Sequence, residues 1–86
     1  MAYRVAFAAT ARREIDALDP PVRERILRAV SRLALAPHAA TNVKALKGGG
    51  YRLRVGDYRV LYETKDELLL ILVVRIGHRR EVYRRP

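Results

Sequence analysis

Three arginines, Arg52, Arg54 and Arg59, stand in the decapeptide YRLRVGDYRV, residues 51–60, on either side of a Gly56-Asp57 pair. Strand alternation assigns Tyr51, Leu53 and Val55 to one side and Arg52 and Arg54 to the other. Gly-Asp between two such runs fits a two-residue hairpin loop of type II′, which takes glycine first. That loop sets Val55 opposite Tyr58, Arg54 opposite Arg59 and Leu53 opposite Val60, so the three guanidinium groups share one face. Like charges directly opposite each other cost a few tenths of a kcal/mol up to about 1, and nothing acidic on these two strands lies close enough to offset them. A bound anion would. Guanidinium groups grip phosphate oxygens in pairs and do not lose their charge near neutral pH. The chemistry open to them is stabilisation of a phosphoryl group as negative charge builds on it.

Composition points the same way. The 86 residues carry 18 Lys and Arg against 9 Asp and Glu, a net charge of +9. The excess is uneven: residues 1–43 hold 7 basic and 4 acidic side chains, net +3, and residues 44–86 hold 11 and 5, net +6. Mere solubility does not explain that clustering, and a polyanion is the expected partner. With no cysteine and only His38 and His78, the chain offers neither a disulfide framework nor a zinc site, so the expected chemistry uses no metal and no cofactor. His38, in a loop beside Pro37, is assigned no role. No apolar run approaches the roughly 20 residues of a membrane span. Tyr3 and Arg4 open a strand-like pattern where a secretion signal would be apolar, so the cytoplasm is the expected compartment.

The elements that must position the arginines follow from periodicity. YRVAFA (3–8) alternates as a first strand. Thr10 is placed to cap a helix through Leu18, with Ala11, Ile15 and Leu18 on one face. Asp19 caps a second helix, Pro20 and Pro21 fill its first turn, and Val22, Ile26, Leu27, Val30 and Leu33 recur at helical spacing to about Ala36. Arg23, Glu24, Arg28 and Arg32 form its wet side, read as a solvated face in preference to an RNA contact. Residues 37–50 read as a loop ending in LKGGG. The glycines match no phosphate-binding P-loop, since no Lys-Ser/Thr pair follows, and they are expected to act as a hinge. DELLLILVVRIG (66–77) reads as a strand covered on both faces at the sheet centre. The polar tail HRREVYRRP follows it. Tyr51, Tyr58 and Tyr62 have the parity opposite to the arginines and are assigned to packing. Residues 1–86 make one domain of α+β class, with two N-terminal helices packed on a small, mainly antiparallel sheet in the order βααβββ.

The decamer, the apolar strand and IGHRREVY, in that order in a chain this long, resemble the RelE/ParE superfamily of bacterial toxins from toxin-antitoxin pairs. The resemblance covers nearly the whole chain, although no single piece is a strict motif. It implies a RelE-like fold and, for the RelE branch, a ribosome-dependent endoribonuclease that cuts messenger RNA in the ribosomal A site. The ParE branch instead poisons DNA gyrase and catalyses nothing itself. An arginine soon after the last core strand and a tyrosine in the tail favour the RelE branch, and Arg79 and Tyr83 match those positions. The resemblance further implies catalytic positions at Arg52, Arg54 and Arg59, RNA-contacting positions at Lys47, with Lys44 and Arg80 beside them, and a RelB-like antitoxin whose acidic or amphipathic C-terminal segment wraps the domain and blocks the arginine face. A third possibility is a non-catalytic RNA-binding or antitoxin-sequestering relative.

One departure bears on mechanism. The family pattern has lysines where this chain has Arg52 and Arg54, and a lysine there is assigned the general-base role; arginine is a poor proton acceptor near pH 7. His78, beside Arg79, titrates nearest neutrality and is the candidate substitute, its rival role being simple contact with RNA. Arg79 could support the leaving oxygen, or pair with Glu81 or Glu63. Tyr83 could stack on a base or hold the nucleotide by its hydroxyl, or pack the tail onto the sheet.

Overall fold

A computed structural model of the chain describes residues 2–78. The expectations for Arg79, Arg80 and Tyr83 lie outside the described residues. Strand β1 (Arg4–Phe7) leads into helices α1 (Ala9–Asp16) and α2 (Pro20–Leu35), then β2 (Val43–Ala45), β3 (Tyr51–Val55), β4 (Tyr58–Lys65), a 3₁₀ turn (Asp66–Leu68) and β5 (Leu70–His78). The sheet order is β1-β5-β4-β3-β2. Only β1 and β5 run parallel, and the other pairs are antiparallel. The α+β class and mainly antiparallel sheet agree with the reading of the sequence, with one strand more than βααβββ.

The extra strand is β2, inside the segment read as a loop. Three residues are too few for alternation to show. The glycines are correspondingly not a hinge: Gly48, Gly49 and Gly50 adopt φ of +90°, +114° and +81°, and the Leu46 N–H donates to the Gly50 carbonyl at 3.0 Å. They close a hydrogen-bonded turn between β2 and β3, where only glycine accepts successive positive φ without strain.

Helix α1 starts one residue before the expected Thr10 cap and ends earlier than Leu18; Ala8 stands at its N-cap with no side-chain hydrogen bond. In α2, Asp19 is the N-cap and the prolines occupy the first turn, but Asp19 contributes its backbone carbonyl to Arg23 N–H, at 2.9 Å, and not its carboxylate. Leu27, placed on the core side by spacing, is exposed.

The core lies between the helices and one face of the sheet. Ala11 and Ile15 from α1 and Ile26, Val30, Leu33 and Ala34 from α2 meet Leu53, Val60, Tyr62, Ile71, Val73 and Ile76. Fully burying each large apolar side chain contributes roughly 1.5–3 kcal/mol. In β5 the register slips by one between the partners of Leu61 and Tyr62, so that Val73 and Ile76 both reach the core. The slip places Arg75 inside an apolar strand. Its Nε donates to Glu14 Oε2 at 3.0 Å, while the Ile76 N–H donates to Oε1 at 2.7 Å. Glu14 of α1 thereby serves the edge of β5 beyond the end of β1. On the sheet's other side Leu70, Leu72 and Val74 are half-buried, so among the described residues the helices cover β5 on one face, where the sequence predicts cover on both. Among the described residues no helix is long and apolar enough to cross a membrane.

Tyr62, almost fully buried, stacks on Tyr51 with ring centroids 5.5 Å apart. Burial, and secondarily Tyr51, pushes its phenol up from 10.0 to about 12. The folded chain therefore holds this proton more tightly than the unfolded one, and the associated stability is complete below pH 10 and lost as pH climbs towards about 12. Urea midpoints measured across that interval should fall less in Tyr62→Phe than in the parent; parallel declines would contradict the assignment.

Candidate functional site

The β3–β4 hairpin has the register its sequence demands. Arg54 lies opposite Arg59, Leu53 opposite Val60 and Val55 opposite Tyr58. Gly56 takes φ +58°, and Asp57 is not among the positive-φ residues, as a type II′ turn requires. Since Leu53, Val60 and Tyr62 are held in the core, their alternates Arg52, Arg54 and Arg59 point to the face away from the helices. The missed strand enlarges this face, because Lys44 of β2 pairs with Arg52.

Two features hold the cations in place. The backbone of Arg54 is clamped by Asn42: Arg54 N–H donates to the Asn42 carbonyl at 3.0 Å, and Asn42 Nδ2 donates to the Arg54 carbonyl at 2.8 Å. Arg59 is half-buried, and its Nε and Nη1 are enclosed without a hydrogen-bond partner among the described residues. An unsatisfied buried donor costs about 1–3 kcal/mol, and more when charged. Among the described residues no carboxylate relieves it. Glu14 is taken by Arg75, Asp16 by Arg12, Glu24 by Arg28, Glu63 by Lys65, and Asp66 by His38 and Tyr3. Neither Arg54 nor Arg59 has an ion pair among the described residues. The face thus carries Arg54 and Arg59 in cross-strand register with no carboxylate paired to either among the described residues.

The other expected site residues are distributed differently. Lys47 is exposed in the glycine turn beside β2. His78 pairs with Tyr58, not with the arginines, and its ring meets the Tyr58 ring edge-on at 5.8 Å. That register puts it on the helix side of the sheet, bordering a groove with Glu14, Leu18 and Arg75. Gly77 is the residue opposite Arg59, so the one-residue offset of His78 turns it away from the cationic face. No pattern in the sequence marks Asn42, whose contribution depends on β2 being a strand. Arg75 carried a usable signal, as a lone charge within an apolar run needs an acidic partner, although nothing local identifies Glu14.

Comparison with known proteins fits this geometry. Residues 5–83 match the family model described as the ParE toxin of type II toxin-antitoxin systems, parDE. Toxin RelG of Mycobacterium tuberculosis is 35% identical over 91 residues, which cover 99% of this chain and 100% of that protein. Among solved structures, a chain of the RelBE2 toxin-antitoxin complex from Mycobacterium tuberculosis superposes with a TM-score of 0.81 at 30% identity, over 92% of this chain and 93% of that one. The intact Escherichia coli RelBE complex contains a chain similar at TM-score 0.76 and 28% identity, covering 90% and 96% respectively.

A crowded cationic face has a measurable cost. Replacing Arg59 by methionine, which fills similar space without charge, should raise stability by about 0.5–1 kcal/mol at low ionic strength and by less in high salt. Urea denaturation at two salt concentrations checks this, and an Arg59→Met protein less stable than the parent in both would contradict it.

Proposed function

The chain belongs to the RelE/ParE family of type II toxin-antitoxin toxins, and from that premise we propose that it is a ribosome-dependent endoribonuclease cleaving mRNA by internal attack of a ribose 2′-OH. The observation that carries the proposal is the Arg54–Arg59 pair in direct cross-strand register, extended by Arg52 and Lys44 on the same open face. In such a reaction the 2′-oxygen bonds to the adjacent phosphorus, the bond to the 5′-oxygen breaks, and one proton leaves the 2′-OH while another reaches the departing oxygen. Charge on the non-bridging oxygens rises at the transition state. Arg54 and Arg59 would hold those oxygens, and their fixed backbone means that little reorganisation is needed when the charge appears. Arg52 and Lys44 would bind the next phosphate along.

Arginines cannot take the 2′-OH proton near neutral pH. The position of His78 against Tyr58, on the helix side, argues against it as the base. Positioning and charge stabilisation accordingly carry most of the acceleration. By family resemblance Arg79 would support the leaving oxygen, Tyr83 would stack on a base, and Lys47 and Arg80 would contact RNA. The relatives solved as RelB–RelE complexes support a RelB-like antitoxin as partner, whose acidic segment would neutralise the arginine face until released.

A gyrase poison is the second reading, favoured by the match of residues 5–83 to a ParE toxin model. Translation of a defined mRNA by purified ribosomes, with 5′ ends mapped, separates the two. Codon-placed cuts that fall about 10²-fold or more in Arg59→Ala, and that weaken in Tyr83→Phe, are expected. Intact mRNA together with gyrase-linked DNA breaks would overturn the nuclease in favour of the poison.

A further inference from the structure

The wet side of α2 presents Arg25, Arg28 and Arg32 three and four residues apart, a single stripe along about 10 Å of helix. Spacing alone reads Arg28 and Arg32, with Arg23 and Glu24, as a solvated surface and does not single out Arg25. The tertiary structure sets the stripe near the edge of β3 beyond the β2 pairing at Leu53, where Asn42 hydrogen-bonds the Arg54 backbone. Arg25, Arg28 and Arg32 there line a crevice of about 310 Å³ together with Ala29, Arg54 and Val55. Arg54 borders this crevice as well as contributing to the sheet face, so the two cationic regions adjoin at the strand edge.

We propose that the crevice binds the phosphodiester backbone of an RNA strand, outside the segment held on the hairpin face; this rests on the nuclease reading for the nature of the ligand. Three observations carry it. First, a Cβ on Gly56 would lie 2.7 Å from Arg25 Nη2, so the missing side chain is what lets the Arg25 guanidinium rest against the hairpin turn at the mouth of the crevice. Second, internal carboxylates scarcely neutralise the stripe. Arg28 alone has an ion pair among the described residues, with Glu24 at 3.8 Å and both side chains exposed; such i,i+4 pairs contribute about 0.3–0.5 kcal/mol, so a phosphate displaces Glu24 readily. Third, among the described residues that line the crevice, Asn42 included, only Ala29 and Val55 are apolar. A neighbouring groove carries Leu33, Ala36, Ala40 and Leu53, which is surface a protein segment would bury, whereas a sugar-phosphate strand needs only the guanidinium forks.

The experiment is fluorescence anisotropy of a labelled oligouridine, without ribosomes, as KCl is raised from low to physiological concentration. Arg28→Gln/Arg32→Gln leaves the hairpin face untouched, and thermal melting confirms its fold. It should bind at least about tenfold more weakly at low salt, with the slope of log affinity against log salt shallower by about 1.4, or about 0.7 for each lost single-strand phosphate contact. Arg12→Gln/Arg13→Gln removes equal charge from α1 and should change the slope little. Equal effects of the two double variants, or no effect of either, would overturn the crevice while leaving the nuclease reading intact. Full RNA binding by Arg28→Gln/Arg32→Gln with lost binding to a labelled oligoglutamate peptide would assign the crevice to an acidic protein segment, overturning the proposal as stated. A parent protein with no affinity for the oligouridine would overturn the crevice proposal, while the ribosome-dependent nuclease reading stands or falls on the translation assay.

Discussion

Everything in this molecule is arranged around a repulsion. Arg54 and Arg59 face each other across a two-residue turn, and the carboxylates with partners among the described residues are engaged elsewhere, by Arg12, Arg28, His38, Lys65 and Arg75. A hairpin chosen for stability would set an acid against one of those arginines, or an aromatic pair as at Tyr51 and Tyr62. Retaining the clash leaves a local electrostatic cost that a negatively charged ligand on this face would offset. Proteins tolerate such local cost where the ligand or the transition state supplies the missing interaction.

The rest of the fold supplies the stiffness that makes this arrangement useful. Both helices lie on one face, and the buried residues of β3, β4 and β5 point at them. Since side chains alternate, anchoring Leu53, Val60 and Tyr62 in the core commits Arg52, Arg54 and Arg59 to the other side. Asn42 locks the backbone of Arg54 from the strand edge, and the closed glycine turn presents Lys44 beside Arg52. A cationic surface on two long, free side chains would lose much of its binding energy to ordering them. Here the backbone does the ordering in advance.

For a toxin of this family, such a surface would serve both the proposed cleavage and its restraint. Charge directed at phosphoryl oxygens needs no metal to accelerate an intramolecular 2′-OH attack, and it is equally attractive to an acidic segment of a partner protein. Under the proposed function, the same guanidinium groups would bind the transition state and attract the antitoxin, so inhibition and catalysis would compete for one feature. The cationic region of α2 adjoining the β3 edge would let a long RNA engage more of the protein than a single nucleotide does.

Much of this was legible from residue order. Alternation in residues 51–60, with glycine first in the turn, dictates the hairpin register and therefore the shared arginine face, because both rest on contacts between neighbours in sequence. Helical spacing and the Asp-Pro-Pro start located α2 for the same reason. What escaped were arrangements made between distant segments. The strand at Val43–Ala45 exists because β3 pairs with it, the LKGGG segment is a turn because β2 stands on its other side, and one slipped residue in β5 decides that Ile76 enters the core and Arg75 meets Glu14. His78 drew notice as the neighbour of Arg79 in sequence, and pleating sets it on the face opposite Arg54 and Arg59. Local preference settles which segments become helix or hairpin. Which side chains from remote segments share a surface follows from the docking of the core, a sum over the whole chain that no single stretch records.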